Sequence, residues 1–82
     1  MTHVLHDLHA EFPEQTKALH RLKLSDPRFQ LAADRYREVN RAIHRIETEI
    51  APASDQYLED LKKQRLALLD EVAAMLAREQ AD

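Results

Sequence analysis

Residues 29–50 read FQLAADRYREVNRAIHRIETEI, and an apolar side chain falls at Phe29, Ala32, Tyr36, Val39, Ile43, Ile46 and Ile50. The steps alternate between three and four residues and average about 3.5, close to the 3.6 of an α-helix, so one narrow stripe runs down one side of a long helix. A stripe this regular suits contact with another helix. The stretch opens after Asp26-Pro27, where Asp26 can accept a bond from an unpaired backbone N–H and Pro27 fits the first helical position. It is expected to span 26–50, roughly 24 residues or about 36 Å.

Downstream, Ala51-Pro52-Ala53-Ser54-Asp55 interrupts the pattern. Pro52 cannot continue a helical ladder, and Ser54 or Asp55 can cap a new helix. The connection, 51–54, has the length of a turn between antiparallel helices. A second long helix is expected over 55–80, with the seam Leu58, Leu61, Arg65, Leu68, Val72 and Met75. Leu66, Leu69, Ala73 and Leu76 form a second row that widens its apolar face towards the C-terminal end, enough to cover two neighbours. Folded back on itself, the pair brings Ile50 to Leu58, Ile46 to Leu61, Val39 to Leu68 and Tyr36 to Val72. The helix–helix seam is therefore Phe29, Tyr36, Val39, Ile43, Ile46, Ile50, Leu58, Leu61, Leu68, Val72, Met75 and Leu76.

Upstream, 1–25 forms an N-terminal helical segment in which Leu5, Leu8, Phe12, Leu19 and Leu22 hold a heptad-like phase broken at Gln15. Pro13 implies a short helix before Phe12 and another from Pro13 to about Leu24, or one helix kinked at the proline. Ser25 ends it. The whole of 1–82 thus reads as one small all-α domain: a long, coiled-coil-like antiparallel hairpin with a short N-terminal helical segment. A single seam is a thin core for two long helices. The second row on the last helix is best used by another pair of helices, so a four-helix-bundle homodimer is expected, with the front segment docked or frayed. A monomeric three-helix domain is the alternative.

Composition agrees with helices and narrows function. The 82 residues contain no Gly, Trp or Cys and three Pro. Without glycine, phosphate-cradling loops and tight hairpin turns lose their usual residue. Without cysteine there is no disulfide framework, thiolate nucleophile or Cys-based zinc site, and a reducing compartment is compatible. The first twelve residues lack the apolar core of a signal peptide, and no run approaches the roughly 20 apolar residues of a membrane span. A soluble cytoplasmic protein, with no membrane contact, is the expectation. The net charge is −3, with 33% of residues charged and both signs interleaved. That is a solvated helix surface and gives no long-range attraction to nucleic acid.

Residues able to carry chemistry are few. His3, His6 and His9 fall at three-residue steps, so adjacent pairs could share a metal ion; together they spread over about 120° of a helix, too wide for one centre. No metal site and no cofactor are expected. His20 and His44 lie near different helix ends, where a catalytic histidine would lack a pocket and an orienting partner. Arg37, Arg41 and Arg45, with Arg35, make the one basic strip; phosphate contact is conceivable, but Glu38 and Glu49 stand at salt-bridge spacing. Arg65 interrupts the seam, either pairing with a carboxylate across it or laying its stem on it and reaching water; the second is favoured. Glu59, Asp60, Lys62, Lys63, Asp70 and Glu71 read as solvated surface. No catalytic signature emerges, and an enzyme is not expected.

The order of several stretches does carry a likeness. His6-Asp7-Leu8, Glu11-Phe12-Pro13-Glu14, Leu22-Lys23, Asp26 with Phe29, Asp34 and Tyr36, and Ile43 through Ile46-Glu47 come first. Ser54-Asp55, Leu58, Leu61-Lys62-Lys63, Arg65-Leu66, Leu68, Asp70-Glu71 and Met75-Leu76 follow. In this the chain resembles the YdcH-like (DUF465) family of small bacterial proteins of unknown function. The resemblance implies a helical hairpin that self-associates in the bacterial cytoplasm, and it implies no activity. Two features depart from the family pattern: Ala32-Ala33 replace bulkier residues, leaving room for close helix approach or for the front segment, and Leu69 replaces the more usual Lys, enlarging the apolar face. The expected function is a non-enzymatic module acting through helix–helix contacts, as a homodimer or as an adaptor for a further protein. The alternatives are metal binding by the N-terminal histidines, or association with nucleic acid through the arginine strip.

Overall fold

The computed structural model describes the backbone of residues 4–48 and 53–80 and the side chains of 8–48 and 53–79. Among the described residues four α-helices follow one another: α1 (Val4–Glu11), α2 (Thr16–Ser25), α3 (Pro27–Glu47) and α4 (Asp55–Gln80), with a 3-10 turn at Pro13–Gln15 between the first two. No strand occurs among the described residues, and the molecule measures 45 × 24 × 21 Å.

Local chemistry sets the boundaries. Proline disfavours helical geometry in the residue before it, and Phe12 accordingly leaves the helix at φ −129°, ψ 64°. Gln15 N–H then donates to Phe12 C=O at 3.1 Å, and the chain re-enters α-helix at Thr16. At the next junction Ser25 Oγ donates to the Arg21 carbonyl at 2.8 Å, closing α2. One residue on, Arg28 N–H donates to Asp26 Oδ1 at 2.9 Å, the cap that Asp26-Pro27 implies. Of the two caps open to α4, Ser54 is used: its Oγ accepts from Tyr57 N–H at 3.1 Å. At the far end α3 stops at Glu47, where Thr48 turns its hydroxyl onto the His44 carbonyl at 2.8 Å. Ile50 and Pro52 lie outside the described residues.

The long helices α3 and α4 lie antiparallel. Asn40 bonds Arg65 while Glu47, further along α3, pairs with Lys62, earlier on α4. Two clusters form along them. At the end where α3 begins and α4 finishes, Phe29, Ala32, Ala33, Tyr36, Val72, Met75 and Leu76 pack with Leu8 of α1 and Ala18, Leu19 and Leu22 of α2. At the opposite end Val39, Ile43 and Leu61 pack with partly buried Ala42, Ile46, Leu58 and Leu68. The small side chains of Ala32 and Ala33, both buried, make space for α1 and α2 to sit close to α3. The front segment is docked, and Arg21 on α2 anchors it with a 2.9 Å ion pair to Glu79 near the end of α4.

Candidate functional site

The two halves of the helix pair differ in what covers them. In the half bearing Phe29 and Leu76, four helices surround the apolar side chains, and Phe29 and Leu76 are fully buried. In the half bearing Ile43 and Leu61, only α3 and α4 meet among the described residues. Among the seam positions, Phe29, Tyr36, Val39, Ile43, Leu61, Val72, Met75 and Leu76 are buried, and Ile46, Leu58 and Leu68 are half-buried. Ile50 is outside the described residues.

The second apolar row of α4 crosses the boundary between these halves. Leu76 lies under the front segment, Leu69 is half-buried against the same cluster, and Leu66, one turn further, is 60% exposed. Leu66 and Leu69 line an open groove of about 360 Å³ with Tyr36, Lys62, Arg65 and, from the end of α1, Glu11. The row, exposed at Ala73 as well, thus runs from the covered Leu76 to the uncovered Leu66 on α4. Glu11, Lys62 and Arg65 bring charge to the groove beside the two leucines. Other exposed large apolar residues are Leu24 at the end of α2, Leu31 on α3 and Tyr57 in the first turn of α4.

Arg65 is half-buried and lines the open groove, in keeping with the favoured course, and its bond across the pair goes to an amide. Its Nη1 donates to Asn40 Oδ1 at 3.1 Å in a partly buried setting, so a neutral amide replaces the carboxylate. Asn40 was missed because it stands one position off the α3 stripe. The legible signal was the antiparallel register together with the long reach of an arginine, which brings any polar residue within a turn of the facing position into range.

The other candidates stand apart. His9 is half-buried on α1, His20 and His44 are exposed on α2 and α3, and the side chains of His3 and His6 lie outside the described residues. No cluster of metal-ligating residues occurs among the described ones. On the outer face of α3, Arg37 pairs with Asp34 at 3.7 Å, and Arg35, Arg41 and Arg45 are exposed. An exposed pair of this kind contributes about 0–1 kcal/mol. No helix among the described residues is long and apolar enough to cross a membrane.

A family model described as "Protein of unknown function (DUF465)" matches residues 29–76, the stretch from the start of α3 to the last fully buried leucine of α4. No curated protein and no solved structure matches the chain.

Proposed function

The chain belongs to the DUF465 family of proteins of unknown function, and we propose that it is a non-enzymatic helical module acting through helix–helix contact, first with a second copy of itself. One observation carries this reading: the apolar row of α4 is covered by the chain's own α1 and α2 at Leu76 and left open at Leu66. A large apolar side chain exposed beside a groove gains free energy when another helix covers it, about 25 cal/mol for each Å² removed from water. Two copies joined there assemble four long helices, a bundle in which each pair thickens the core of the other. An adaptor role follows from the same surface, which accepts any amphipathic helix with a matching face. The cysteine-free, charge-rich composition suits such a module in the cytoplasm of a bacterium.

Sedimentation of the untagged full chain from micromolar to millimolar concentration tests the reading. The expected result is a weight-average mass that rises from the 9.6 kDa of one chain towards twice that value. A folded species that stays at the single-chain mass over the whole range overturns it.

A further inference from the structure

Leu66 has a charge of opposite sign one helical turn to each side, Lys62 before it and Asp70 after it, and all three side chains are exposed. At 100° per residue, Glu59, Lys62, Leu66, Asp70, Ala73 and Ala77 fall within about 40° of one line along α4. That line is antisymmetric about Leu66. If a copy of α4 is laid on it head to tail with Leu66 at the centre, position 62 meets 70, 66 meets 66, and 59 meets 73. Two Lys–Asp pairs then flank one Leu–Leu contact. The small Ala73 and Ala77 stand opposite the longer Glu59 and Asp55, which lets the helices approach. A parallel arrangement would oppose Lys62 to Lys62 and Asp70 to Asp70, so the charges select one direction.

We propose that a second copy of this chain docks on α4 through a two-fold, antiparallel contact centred on Leu66, with Lys62 facing Asp70 of the partner subunit and Asp70 facing Lys62 of the partner subunit. In a closed dimer of this type the same patch serves both copies, and the self-complementary pattern of α4 meets that requirement. Lys62 also reaches Glu47 of its own chain at 3.5 Å, so the ammonium sits between one carboxylate at home and one across the contact. The inference rests on the self-association proposed above and specifies its geometry.

Charge exchange tests it. K62E places two acidic positions around Leu66 and D70K two basic ones, so each variant repels its own copy. Each is expected to raise the dissociation constant by roughly tenfold or more at low salt. An equimolar mixture of the two restores opposite charges on both sides and is expected to return to near the native value. The chain has no cysteine, which permits a second measurement independent of the ion pairs. Under mild oxidation L66C, facing its own copy across the axis, should form a disulfide-linked dimer far faster than Q64C, which is also exposed but points to another side of α4. Native dimers that ignore both charge variants, or equal cross-linking of L66C and Q64C, overturn this contact and leave self-association standing. A native chain that never leaves the monomer removes both.

Discussion

Arg65 Nη1 donates to Asn40 Oδ1 across the long helix pair at 3.1 Å, beside the cluster of Val39, Ile43 and Leu61. An amide acceptor satisfies one guanidinium N–H without bringing a second charge out of water, and Arg65 also lines the open groove. The bond also marks register, because a slip of one turn would part the guanidinium from the Asn40 acceptor.

The pair should therefore behave as a unit. Asn40→Leu, which strips the acceptor from a partly buried cation, is expected to cost about 1–2 kcal/mol in urea unfolding. Combining it with Arg65→Met, which fills the same space with apolar atoms, should recover most of that loss or exceed native stability. A double variant as unstable as the sum of the two single changes would show that the contact is energetically idle.

Ile43 is 1% exposed in the cluster with Val39 and Leu61. Ile43→Asp puts a carboxylate there with no partner, and the expected outcome is loss of the helical circular-dichroism signal at room temperature. Ile43→Val removes one methylene and should cost only about 0.5–1.5 kcal/mol. An aspartate variant with an unchanged melting curve would mean that this cluster does not hold the helices together.

Docking of the front segment is tested at Leu19, which is fully buried with Leu8, Phe29 and Leu76. Leu19→Ala is expected to lower stability by about 2–5 kcal/mol, as for other leucines cut back in a closed core. The unfolding transition should remain single, since the same cluster contains side chains of all four helices. A change below 0.5 kcal/mol would indicate that α2 contributes nothing to the fold.

The helix caps give a smaller, position-specific effect. Asp26→Ala and Ser54→Ala each remove a side-chain acceptor, from Arg28 N–H and from Tyr57 N–H respectively. Each should cost about 1 kcal/mol, and Asn at either site should retain most of it. Equal loss from Ala and Asn would place the effect outside capping.

Much of the architecture was legible because it is written in local rules. The three-four spacing from Phe29 to Ile46 fixed a helix and its buried side, and Asp26-Pro27 fixed where that helix starts. Ser54 was legible as a cap because only two side chains near Pro52 could serve. The end of α3 was not, because Thr48 closes the helix with a hydroxyl bond to the His44 carbonyl, and the apolar period runs past that point unchanged. Leu8, Leu19 and Leu22 showed helical phase without showing their destination, since a stripe states that a face will be covered and not by what.

By itself the sequence determined an all-helical chain, the faces of its two long helices and the sites at which they begin, because periodicity and capping act over a few residues. Only the tertiary structure decided that α1 and α2 take the Leu76 end of the second row and stop short of Leu66. The same holds for the choice of Asn40 as partner to Arg65. Those outcomes depend on the lengths of the front helices and the room left by Ala32 and Ala33, which are matters of volume and distance in three dimensions that no spacing along the chain encodes.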